Sequence, residues 1–174
     1  AAIAGFLSRP SLLSKEQLDK APHVLAFRDE HMIGATGEDI YVRNLDAPID
    51  ARFAVVHVGQ KLRDPDSGDV LGYEGVYAAT ARVSRPGEPL TARLTDTTRE
   101  TLEGDVLIAN DADAPASFEV RVPAAPINGS IISVVDDTTL IGTYQIIAVN
   151  RGTRHGLAPG HILTGPVAVQ GALP

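Results

Sequence analysis

The 174-residue chain has 44% hydrophobic residues, 5% aromatics and no Trp, so any core must be built from Val, Ile, Leu and Ala. It carries 15 basic and 22 acidic residues, a formal charge of −7, and its lysines are Lys15, Lys20 and Lys61 alone, which disfavours nucleic acid or an anionic lipid surface as a partner. Cysteine is absent, which removes disulfides, thiolate catalysis and Cys-based zinc sites.

The first ordered signal follows Arg9-Pro10. Ser14 and Gln17 have capping-box spacing, which predicts a short helix over Lys15–Lys20. Pro22 stops it, because the residue before a proline is pushed out of the α region. From His23 the period changes to that of strands. His23–Phe27, Ile40–Arg43 and Phe53–Val58 read as the first three, the last ended by Gly59. Asp64-Pro65-Asp66-Ser67-Gly68-Asp69 is dense turn chemistry. Val70–Val83 follows as one or two strands whose glycines suggest bulges. Pro86-Gly87-Glu88-Pro89 turns into Leu90–Leu94, which alternates apolar and polar, and Val106–Ala109 closes the series.

Asn110–Pro126 breaks the pattern with Pro115, Pro123 and Pro126, and Pro123-Ala124-Ala125-Pro126 reads as stiff and extended. Within it Phe118–Val122 alternates as an edge strand would. Gly129–Val135 and Tyr144–Asn150 are further strands around a turn at Asp136-Asp137. A module this small must pack on the first domain or on a partner. The stretch Thr98–Leu107 also echoes Thr153–Leu163: each has Thr-Arg, a Leu expected to be buried, a Gly, then an apolar strand.

The residues that carry chemistry elsewhere do not form a familiar set here. Asp64, Asp66 and Asp69 suggest calcium, but Gly68 stands where a calcium loop needs an oxygen ligand, so a solvated hairpin tip is the reading. His155 and His161 lie apart from any third zinc ligand, and His23, His31 and His57 are isolated. Ser130, Ser133, His155 and Asp136 are the residue types of a hydrolase triad, without the glycine-flanked elbow; outward-pointing strand serines fit better. Glu74, Glu88, Glu100, Glu103 and Glu119 would need aromatics to line a sugar groove, and few are present. No catalytic, cofactor-binding or metal residues are therefore assigned, and the chain is read as non-enzymatic.

Several motifs, taken in order, resemble a known family. They are Arg9-Pro10 with Ser14, Leu18 and Ala21-Pro22; Ala26-Phe27; Asp29-Glu30-His31; Tyr41-Val42-Arg43; and Pro65 with Gly68–Glu74. Thr98-Arg99-Glu100 with Gly104-Asp105, Ile146–Gly152, and Gly156-Leu157 with Pro159–Leu163 complete the series. From about Phe6 to Thr164 the chain resembles the region C-terminal to the LysM module of proteobacterial LysM peptidoglycan-binding proteins. The LysM motif itself is absent, so no glycan-binding residue carries over. The resemblance implies a periplasmic or cell-envelope protein that reaches peptidoglycan through a LysM module outside this chain, with an envelope protein as a possible partner.

The expected architecture is mainly β: an antiparallel sandwich or barrel-like domain, a smaller β-module and one short N-terminal helix. The expected divisions are an N-terminal segment at 1–22, a main β-domain at 23–110, a Pro-rich linker or edge strand at 111–128, and a small module at 129–174 packed on a neighbour. No stretch reaches the roughly 20 apolar residues of a transmembrane helix. The expected role is an accessory or interaction region, with a cell-wall hydrolase and a structural spacer as the alternatives.

Overall fold

The computed structural model describes residues 12–28, 33–109, 119–134 and 146–164. Its elements are β1 (Leu12–Leu13), α1 (Lys15–Lys20), β2 (His23–Phe27), β3 (Asp39–Arg43), β4 (Arg52–Arg63), β5 (Val70–Arg85), β6 (Leu90–Thr95), β7 (Val106–Ala109), β8 (Ile131–Val134) and β9 (Ile147–Val149). The fold is mainly β, as expected. An antiparallel seven-stranded sheet runs β1-β5-β4-β7-β2-β3-β6, and a further β5–β6 pairing closes it into a barrel-like ring. β8 and β9 form a separate two-stranded sheet.

The predicted capping box is present. Gln17 N–H donates to Ser14 Oγ at 3.2 Å and Ser14 N–H to Gln17 Oε1 at 2.8 Å. Glu16 in the first turn and Lys20 in the last suit the helix dipole, and the chain leaves α1 at Ala21 in extended geometry, just before Pro22.

Alternation explains the ring. Ile40 and Val42 of β3, Leu90, Ala92 and Leu94 of β6, Ala81 and Val83 of β5, Val55 of β4 and Leu107 of β7 all join one buried cluster. In β2 a register shift between Val24 and Ala26 brings both Val24 and Phe27 inward. β4 is buried on both faces at Ala54-Val55-Val56, because a second cluster of Leu13, Ala54, Val56 and Val106, with Leu18 and Ala21 against it, covers its outer side. Leu13, Leu18 and Ala21 thus serve as an outer lining.

Two strands run longer than their glycines suggest. β4 continues through Gly59 to Arg63, so Gly59 does not end it. Pairing passes from Val58↔Gly75 to Lys61↔Tyr73, so Gly59 and Gln60 together face Glu74 in a bulge. A Cβ on Gly59 would sit 3.2 Å from Glu74, so the glycine marks close approach, not termination. β5 is a single strand that serves three neighbours. It pairs with β4 along most of its length, with β1 at Tyr73 and Glu74, and with β6 from Thr80 to Arg85. Between those last two stretches, Thr98 N–H donates to the Ala78 carbonyl at 2.8 Å and so covers the remaining edge.

Charges fix the register on the outer face. Asp39 lies opposite Arg93 across β3–β6 and accepts from its Nε at 2.9 Å and Nη2 at 3.1 Å, while Arg28 reaches the same carboxylate at 3.1 Å. Arg93 also lies opposite Arg82 across the β5–β6 closure, where like charges would repel. Arg82 is neutralised separately by Asp50 at 2.7 Å.

Two outcomes follow from these contacts. A Cβ on Gly34 would meet Phe27 Cε1 at 2.5 Å and Leu94 Cδ1 at 2.7 Å, both buried, so G34A should lower the unfolding free energy by about 1–3 kcal/mol in urea titrations with the slope unchanged. The hydrogen bond from Arg93, reinforced by Arg28, holds the Asp39 carboxyl below its ordinary range. Its stabilisation is complete above the unfolded value of about 3.9 and is lost as pH falls through the lower folded value. D39N should flatten the acid limb of stability against pH and leave its shape near neutrality unchanged.

Candidate interaction surface

The β4–β5 hairpin tip and the β8–β9 module meet at a polar seam. Asp64 accepts from Asp66 N–H at 3.0 Å, and Gly68 takes a positive φ of 79° to close the tip. The tip is not simply solvated, because Asp64 and Asp66 turn toward the second module. Asn150, just past β9 and 3% exposed, donates from Nδ2 to Asp64 Oδ1 at 2.9 Å and to Asp66 Oδ2 at 3.3 Å. Its Oδ1 accepts from Ser130 N–H at 2.6 Å, so both ends of the amide are used. Arg151 pairs with Asp66 at 2.9 Å and approaches Asp64 at 3.9 Å. The hydrogen bond from Asn150, then that from the Asp66 backbone, holds the Asp64 carboxyl below its ordinary range, with Arg151 adding attraction.

Further along the seam, Ser133 is buried and donates to Glu74 Oε1 at 3.2 Å. The outward orientation expected for this serine is therefore corrected: β8 comes against β4 and turns Ser133 inward onto Glu74 of β5. Ser130 is exposed, as expected. His155 is exposed in a short 3₁₀ turn, Thr153–His155, where its Nδ1 accepts from Gly152 N–H at 3.2 Å. Ser133 and His155 thus have separate local partners. Asp136 and His31 lie outside the described residues, as do residues 110–118 of the expected linker. Glu88, Glu100, Glu103 and Glu119 are exposed, whereas Glu74 is buried in the seam.

The expected edge strand near Val122 shrinks to one parallel bridge between Arg121 and His161, and the Pro-flanked segment bends at Ala124-Ala125 instead of running straight. An open groove of about 330 Å³ lies between Val122–Asn128 and Ile162–Thr164. Of its lining, Val122 (78%), Ile162 and Leu163 are exposed; Val120 before it and Ile131 and Ile147 of the two-stranded sheet are exposed as well.

The sequence echo is a shared turn. Leu102 N–H donates to Asp105 Oδ2 at 2.8 Å, and Ala158 N–H to His161 Nδ1 at 3.2 Å. Gly104 and Gly160 both take φ of 88°. The partners differ, however: the first turn feeds antiparallel pairing of Val106 with His23, the second the parallel bridge to Arg121. Nor does the echo bury its first Leu, since Leu102 is exposed. Asp105 is buried and also takes His57 Nδ1 at 2.8 Å; facing a carboxylate, that nitrogen carries the proton. His57 is therefore not isolated, and the sequence hides the pairing because the partners are 48 positions apart.

Among the described residues no group of three or more His, Asp or Glu is placed to hold a metal, and no helix is long and apolar enough to cross a membrane. No family model matches the chain, and no curated protein matches it.

D105A would leave the Leu102 N–H and the His57 ring without their acceptor. It should cost about 1–3 kcal/mol of unfolding free energy in urea, while H57A, at a half-exposed position, should cost less.

Proposed function

We infer that this chain is a non-catalytic accessory region of a bacterial cell-envelope protein that associates with peptidoglycan through a LysM module outside it. One observation carries the interaction reading. Among the described residues the second module is a two-stranded sheet with no further strand on either edge, and Ile131, Ile147, Ile162 and Leu163 of the module and Val120 and Val122 before it are exposed. Exposed apolar side chains, of which Val122, Ile162 and Leu163 line one groove, and sheet edges are features that recruit partners. The order of motifs from Arg9 to Leu163 supports the envelope assignment. Ser133 and Glu74, which a hydrolase reading would recruit, are directed at each other across the seam, where they hold the modules together.

Purified sacculi test the reading. Incubation with the chain should release no soluble muropeptides, and the full reading frame should sediment with sacculi while the 174-residue chain alone stays in the supernatant. Release of muropeptides would replace the accessory role with that of a cell-wall hydrolase. Sedimentation of the chain alone would place glycan binding within these residues.

A further inference from the structure

The barrel and the second module are held by different forces. Both apolar clusters draw their residues from positions up to Ile108, and neither takes a side chain from β8 or β9. Hydrophobic burial, which dominates folding, therefore fixes the barrel without fixing the module. Among the described residues, the hydrogen bonds and ion pairs that join them form the polar seam, beside a small contact of β8 with β4: Asn150 to Asp64 and Asp66, Arg151 to the same carboxylates, and Ser133 to Glu74. Net contributions of such bonds are modest, and the Asp66 carboxylate is exposed enough for solvent to screen its ion pair.

We propose that the β8–β9 module is a latched arm that opens from the β4–β5 hairpin as a unit while the barrel stays folded, with the Asn150 amide on Asp64 and Asp66 as the catch. The orientation of that amide is dictated by its surroundings. Two carboxylates face its donor end, and the Ser130 N–H faces its acceptor end. The charged groups around the catch are Asp64, Asp66 and Asp69, with Arg63 bonded to the Gly68 carbonyl in the same turn, and Arg151 and His155 from the module. Carboxylates outnumber guanidinium groups on the hairpin side, so the catch depends on the Asn150 donor and the Arg151 charge arriving together. Opening presents the carboxylates of the tip and the buried face of β8 to solvent without exposing the barrel core. The inference rests on seam geometry alone and stands whether or not the envelope role is correct.

Residue-resolved hydrogen exchange on the full chain tests it. The paired amides of β8 and β9 should exchange through an opening far more frequent than the global unfolding that exposes Val55 and Leu107. N150D keeps an acceptor for Ser130 but turns a third carboxylate on Asp64 and Asp66. It should speed exchange in β8–β9 roughly 10- to 100-fold and leave the barrel amides and Tm unchanged. Adding D64N returns a donor to the seam and should reverse most of that acceleration. Three results would overturn the proposal: wild-type β8–β9 amides exchanging at the barrel rate; N150D leaving exchange unchanged or speeding barrel and module alike; or an acceleration that D64N fails to reverse, which would locate the effect inside the module.

Discussion

The structure depends on one strand being shared. β5 carries β4 along one side, while its other side is divided between β1, the Thr98 backbone and β6. Closure through β6 turns an open sheet with two edges into a ring, and a ring has no edge strands to protect. It also encloses a space narrow enough for Val, Leu, Ile and Ala, with one Phe, to fill. An aromatic-poor sequence suits so small an interior. The electrostatic penalty at the joint, where Arg82 meets Arg93, is offset by Asp50 on one side and Asp39 on the other. Asp39 in turn links the end of β2 to β3 and β6 through Arg28 and Arg93.

The same strand reaches beyond the ring. The hairpin formed by the far ends of β4 and β5 receives β1 on one edge and the second module over its tip and Glu74. Apolar lining by Leu13, Leu18 and Ala21 secures the first attachment, and polar contacts secure the second. That contrast sets the expected order of mobility. The barrel with its N-terminal lining behaves as one body, and the module is the part most easily displaced.

Local chemistry was legible in the sequence and distant pairing was not. Ser14 and Gln17 are three apart, so the capping box could be read directly, and the alternation of Leu90–Leu94 placed Leu90, Ala92 and Leu94 on one inward face. Gly59 misled because a glycine that permits a bulge and one that ends a strand look identical until Glu74 is seen against it. Asn150 reads only as the end of a strand and part of a motif, with no sign of what it bonds. Its partners Asp64 and Asp66 are 86 and 84 positions away, and a lone Asn after an apolar strand is ordinary. The aspartates of the turn read as a solvated tip, whereas Asp64 and Asp66 meet a side-chain amide and a guanidinium from the second module, and Asp69 accepts from Ser67 within the turn.

An accessory role fits a ring that displays a polar-latched module, and the ring itself presupposes that β5 and β6 pair. Cross-strand NOEs between backbone protons of Ala81 and Leu94, and of Arg82 and Arg93, measure the closure directly. The account predicts strong contacts at both positions, together with those joining Asp39 to Arg93. Contacts from β3 to β6 without any from β5 to β6 would describe an open sheet with two free edges and would contradict it.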